Sequence, residues 1–203
     1  MRNPVNSPTF VESSPLTVQA FALARERHDG QRRKADGADF LLHPLEVAAV
    51  LHTAGAADHV VAAGLLHDVL EKSDTEPWEV EARCGGAVRE LVEMVSEDPA
   101  IGDRGERKAE LRRRVGGVGG EAALVFAADK ISKLREWRLR MACGEEPPEQ
   151  TTVHYRESLE AVTGTIPSHP VTCLLRFELE ALASFPPAET VRAAPSRSTG
   201  KAR

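Results

Sequence analysis

Residues 58–68, DHVVAAGLLHD, are apolar almost all the way round a helix and then end on an imidazole and a carboxylate, His67 and Asp68. A helix that is apolar on every face belongs in the middle of other helices. A carboxylate at the end of such a run loses its water and needs a positive partner, at a cost of several kcal/mol if none is met. The spacing therefore predicts a buried central helix over 58–72 with a cationic site at its end. Lys72, one turn after Asp68, offers one solution, an i,i+4 ion pair beside a core histidine. A bound metal ion offers the other. This segment alone leaves both open.

The rest of the chain carries the same helical signature. Leu16, Ala20, Leu23 and Ala24 form a stripe, with Ser14 as a capping residue and Pro15 in the first turn. HPLEVAAVLHTAG places Pro44 at the first position of a second helix that Gly55 ends. EPWEVEARCG, GAVRELVEMVSE, the long GEAALVFAADKISKLREWRLRM, HYRESLEAV and HPVTCLLRFELEALASF supply further helices. Alternating strand patterns are absent. An all-α fold, a compact helical bundle, is expected. Its body runs over 15–185, between a Ser/Pro/Asn-rich leader (1–14) expected to be flexible and a basic, Pro/Ala/Ser-rich tail (186–203) expected to be disordered.

Composition narrows the function. The net charge is −5, which disfavours a general nucleic-acid binder. No apolar run reaches the roughly eighteen residues of a membrane span, and the N-terminus lacks the apolar core of a secretory signal. Cys84, Cys143 and Cys173 are odd in number and far apart, as expected for reduced thiols. A cytoplasmic protein is expected, without membrane or nucleic-acid partners; its oligomeric state is not legible. One local run, RGERKAELRRR at 104–114, is strongly basic and reads as a solvated helix face or loop.

Two more apolar runs end on donors of the same kind: FLLH at His43 and ALVFAAD at Asp129. His43, His67, Asp68 and Asp129 together would give two nitrogen and two oxygen donors. That mixture suits a divalent transition ion such as Mn²⁺, Fe²⁺ or Zn²⁺, provided that the fold brings the three segments together.

The order H…HD…D, with FALARERHDGQRRKADGADFLLHPLEVAAVL, AAGLLHDVLEKSDT, ERKAEL and AADKISKLREW around it, resembles the HD phosphohydrolase superfamily. More narrowly it is similar to the hydrolase domain of the RelA/SpoT family, and above all to its small stand-alone members. The likeness spans about 15–164. It implies His43, His67, Asp68 and Asp129 as ligands of a metal, usually Mn²⁺. It also implies removal of the 3′-pyrophosphate from guanosine 3′,5′-bis(diphosphate), ppGpp, the nucleotide alarmone of the stringent response. Nothing resembles the synthetase half of the long enzymes, so degradation rather than synthesis is expected.

By the same resemblance Glu71 matches the first acid of the family's HDxxED motif, which orders or deprotonates the attacking water. Lys72 stands where the second acid belongs. Lys133 stands where the family has a pocket asparagine, and Arg135 is kept. Arg32, Arg33 and Lys34 match a basic stretch lining the nucleotide side, Arg104 and Lys108 a segment facing the pyrophosphate, and Tyr155 a tyrosine near the nucleotide. The basic residue often preceding that tyrosine is Thr151 or Thr152 here. His28 is expected to be structural, and Trp78 and Trp137 to pack in the core or at its edge. Lys72 and Lys133 raise two alternatives to an alarmone hydrolase: a phosphohydrolase with another nucleotide substrate, or a nucleotide sensor without turnover.

Overall fold

The structure is a computed structural model that describes residues 5–184. The described residues form ten α-helices: α1 (Pro15–Arg27), α2 (Leu42–Thr53), α3 (Asp58–Leu66), α4 (Val69–Lys72), α5 (Pro77–Cys84), α6 (Gly86–Val95), α7 (Arg104–Val118), α8 (Gly120–Ala142), α9 (Glu149–Thr165) and α10 (Pro170–Ala183). No strand occurs among them beyond an isolated bridge between Arg32 and Asp39. The expected all-α bundle is the fold. Among the described residues no helix is long and apolar enough to cross a membrane, and all three cysteines are free thiols. The tail at 186–203 lies outside the described residues.

As its all-round apolarity requires, α3 is the centre. Val60 through Leu66 are all buried, with α1 and α2 packed on it and α6 and α8 completing the surround. Gly64 sets how close α2 comes, since a Cβ there would stand 2.5 Å from Leu51 Cδ1 and 3.5 Å from the Ala48 Cα. Against α3, the first half of α8 buries Val125, Phe126, Ala127, Ala128 and Ile131.

Four expectations are corrected. The apolar segment is not one helix to Lys72: it breaks at His67 and Asp68, where Asp68 has ψ −6°. The break turns both side chains inward from one point. Pro44 is the third residue of α2 rather than its first, because α2 opens at Leu42 after a tight turn in which the His43 N–H donates to the Phe40 carbonyl at 2.9 Å. Proline is tolerated there, since first-turn N–H groups lack helical partners anyway. The leader is not wholly separate from the body. Val11 is fully buried, its carbonyl accepts the Thr17 hydroxyl at 2.6 Å, and Phe10 stacks on His52. Trp78 is 67% exposed, so it does not belong to the core.

The basic run at 104–114 is helical and forms α7, closed by Gly119 at φ +80°. This helix leans on α9. Arg112 donates to His154 Nδ1 at 2.7 Å and pairs with Glu157 at 2.6 Å. Burial, then Lys130, Lys108 and Arg112, push the His154 imidazole down to about 3.

Two predictions follow from this packing. Gly64→Val forces α2 and α3 apart and should destabilise the protein by about 1–3 kcal/mol in urea unfolding. In the unfolded chain His154 titrates near 6.5, and in the folded chain only near 3. Between those values the unfolded state binds more protons. The contribution of His154 is therefore intact above pH 6.5 and declines as pH falls toward 3. His154→Gln should make the acid limb of a stability–pH profile shallower, by up to about one proton's worth of slope.

Candidate metal centre

Three separated segments deliver the four donors to one place. The first turn of α2 carries His43, the α3–α4 break carries His67 and Asp68, and the middle of α8 carries Asp129. The two imidazole Nε2 atoms are 3.1 Å apart. Asp129 Oδ1 lies 3.2 Å from the His43 Nε2 and 3.6 Å from the His67 Nε2. Asp68 Oδ2 lies 3.5 Å and 3.4 Å from the same two atoms. His43, His67 and Asp129 by themselves make a compact group able to hold an ion, and Asp68 lies beside it at the same break as His67.

Hydrogen bonds on the far side of each ring decide what the near side offers. His67 Nδ1 is 2.9 Å from the Gly64 carbonyl oxygen, which can only accept, so Nδ1 carries the hydrogen and Nε2 presents a lone pair. His43 Nδ1 is 2.9 Å from the Ser132 hydroxyl. Each carboxylate is divided in the same way. Asp68 Oδ1 faces Lys72 Nζ at 3.5 Å, and Asp129 Oδ2 faces Lys130 Nζ at 2.7 Å. The remaining oxygens, Asp68 Oδ2 and Asp129 Oδ1, are buried without any hydrogen-bond partner. Two buried acceptor oxygens without a hydrogen-bond partner, facing ring nitrogens, are an arrangement that a cation would satisfy. The donor set fits a divalent transition ion.

Lys72 is thus a partner of Asp68 and leaves the inward oxygen untouched. Burial opposes its charge, but Asp68, Glu71 and Asp129 more than offset this and hold its pKa above the ordinary value. Burial likewise opposes ionisation of Asp68, yet His67, His43, Lys133 and Lys72 hold that carboxyl down to about 2. Asp129 is held well below the carboxylate range against its burial, with Lys130 and His43 responsible. Burial and Lys133 push His43 down to about 4, which keeps its ring neutral near pH 7.

Around this centre the other expected residues divide. Glu71 sits at the rim, where its Oε1 accepts the Glu97 N–H at 2.8 Å and crowding raises its pKa, mainly through burial and also through Asp68. Lys72 and Lys133 converge on one ring, with their Nζ atoms 5.6 Å and 6.0 Å from the Phe40 centroid. Phe40 in turn packs on His28 and His43. His28 is buried with Nδ1 on Gln31, the structural role expected of it.

On the other flank Lys108 is half-buried and has no acidic partner among the described residues. Burial, Arg104 and Lys130 lower its pKa. Lys130, Arg112 and His154 lie near it, a grouping not legible from sequence because spacing along the chain does not reveal which helices meet beside Asp129.

Several expected substrate contacts are engaged elsewhere. Arg33 forms a two-pronged pair with Asp36 in its own loop. Arg32 and Lys34 are exposed, and Arg32 bridges Asp39 through its backbone. Arg135 is bound on both sides by acids, Glu46 at 3.0 Å and Glu178 at 2.7 Å. Tyr155 is buried, and burial pushes its phenol pKa up.

Comparison with known proteins bears on this arrangement. A family model described as HD domain matches residues 20–160. The mouse guanosine-3′,5′-bis(diphosphate) 3′-pyrophosphohydrolase MESH1 is 40% identical over 122 residues, which is 59% of this chain and 68% of that protein. The Aquifex aeolicus guanosine-3′,5′-bis(diphosphate) 3′-pyrophosphohydrolase is 36% identical over 97 residues, 48% of this chain but only 14% of that much longer protein. A solved structure of a metazoan orthologue of SpoT, described as hydrolysing ppGpp, superposes with a TM-score of 0.68 at 24% identity. It covers 89% of this chain and 96% of that one, a likeness of fold. With more than half its length matched and its four donors gathered at one point, the chain belongs to the HD-domain family.

Proposed function

We propose that this protein hydrolyses guanosine 3′,5′-bis(diphosphate) at its 3′-pyrophosphate, with a divalent ion, Mn²⁺ in the first instance, held by His43, His67, Asp68 and Asp129. The observation that carries this reading is the pair of orphaned buried oxygens, Asp68 Oδ2 and Asp129 Oδ1, facing two histidine Nε2 atoms. The relatives named as 3′-pyrophosphohydrolases supply the reaction. When bound, such an ion polarises a phosphoryl oxygen and makes water more acidic.

The chain's own residues do the remainder. Water adds to the phosphorus attached to the ribose 3′ oxygen, that P–O bond breaks, pyrophosphate departs and the 3′ oxygen gains a proton. Glu71 is the group suited to take the proton of the attacking water. Its Oε1 is fixed by the Glu97 N–H, and its raised pKa makes it a better acceptor than an ordinary surface glutamate. Lys108 and Arg104 meet the departing phosphates, with Lys130 beside them. Lys72 and Lys133, across Phe40, face the nucleotide side and favour a strongly anionic ligand. Because Lys72 occupies only the outer oxygen of Asp68, the loss of the family's second acid leaves the ligand set complete.

Pyrophosphate release from ppGpp by the Mn²⁺-loaded protein, measured beside a panel of other nucleotides, tests the reading. Turnover of ppGpp is expected and should fall more than about a hundredfold in Asp68→Ala. Turnover of another nucleotide alone would overturn the assignment of substrate, and binding without any turnover would make the chain a sensor. Glu71→Gln should lower kcat about a hundredfold with Mn²⁺ content unchanged. Lys72→Ala should keep activity within about tenfold, since a partly exposed i,i+4 pair contributes only about 0.2–1 kcal/mol.

A further inference from the structure

A line of hydrogen-bonded and charged groups runs from the last helix to one of the metal-type donors. His43 Nδ1 is 2.9 Å from Ser132 Oγ, and the Ser132 hydroxyl donates to Glu46 Oε2 at 2.8 Å. Arg135 donates to Glu46 Oε1 at 3.0 Å and, through Nε, to Glu178 Oε1 at 2.7 Å. Glu178, only 2% exposed on α10, also holds Arg138 at 2.6 Å.

The direction of each bond follows from chemistry. A glutamate flanked by an arginine is ionised and can only accept. The serine must therefore spend its single hydrogen on Glu46 and has only lone pairs left for His43. His43 must then put its hydrogen on Nδ1, which turns the Nε2 lone pair toward Asp68, Asp129 and His67. For His67 a backbone carbonyl does this work, whereas for His43 a side-chain relay does it. Ser132 is three residues after Asp129 on α8, so one face of that helix presents both a donor and the support of another donor.

We propose that Ser132 and Glu46 are positioning residues that set the tautomer and aim of His43, and that Arg135, clamped by Glu178, holds Glu46 in place. The inference rests on the metal reading above. It reassigns Arg135 from the nucleotide pocket to the support of a ligand. Groups behind a metal-binding histidine commonly change metal affinity by about 10–100-fold when removed.

The test is Mn²⁺ affinity measured by titration calorimetry on the full chain, with Tm as a check on folding. Ser132→Ala should weaken Mn²⁺ binding about 10–100-fold with little change in Tm, and Ser132→Thr, which keeps the hydroxyl, should restore it to within about threefold. Glu46→Ala should weaken binding in the same way, and the double variant should lose no more than the worse single one, as expected for groups acting in series. In the Zn²⁺-loaded protein, ¹⁵N spectra of the histidine rings should show His43 protonated at Nδ1 in the parent and an altered Nδ1 resonance in Ser132→Ala. Unchanged Mn²⁺ affinity and an unchanged His43 spectrum in Ser132→Ala would overturn the proposal. A parent protein that binds neither Mn²⁺ nor Zn²⁺ would instead overturn the metal reading itself.

Discussion

Two carboxylate oxygens, Asp68 Oδ2 and Asp129 Oδ1, are buried beside two ring nitrogens and have nothing to accept. Left alone, that concentration of electron pairs is repulsive, and a low-dielectric interior magnifies the repulsion. The bundle nevertheless places them together, from α2, the α3–α4 break and α8. Such a cluster, surrounded by apolar side chains, is suited to a positive charge at its centre, as the proposed function requires. The break at His67 and Asp68 follows from the same requirement, since a continuous helix would have spread these consecutive side chains about 100° apart around its axis.

The lysine that replaces the family's second acid takes its meaning from symmetry. Lys72 stands to Asp68 as Lys130 stands to Asp129: each ammonium takes one carboxylate oxygen and leaves the other facing the imidazoles. Both lysines help hold their carboxylates ionised against burial. A cation next to a metal site is unfavourable to the ion in isolation, but here each is separated from the centre by the carboxylate it neutralises. Further cations lie on two sides of the centre, Lys133 over Phe40 and Lys108 near Arg104.

Support for the donors is drawn from unequal sources. His67 leans on the backbone of its own helix, a contact fixed once α3 forms. His43 depends on Ser132, Glu46, Arg135 and Glu178, which belong to α8, α2 and α10. The geometry of the site is therefore tied to the docking of the last helix, more than 100 residues beyond His43 in the chain.

Much of this was legible in the residues. Apolar stripes with helical period and the all-round apolar α3 pointed to an all-helical body, and three apolar runs each ending on a donor singled out His43, His67, Asp68 and Asp129 as groups that the fold brings together, because burial of a carboxylate demands a partner wherever it occurs. Glu71 was singled out by the resemblance to a family motif. What only the tertiary structure decided was which oxygen each lysine takes, that Arg33 and Arg135 are bound by acids, and that Arg112 and His154 meet beside Lys130. Those outcomes depend on which helix faces which. Charged side chains are long and flexible, and their partners are chosen by distances across the bundle that no spacing along the chain encodes.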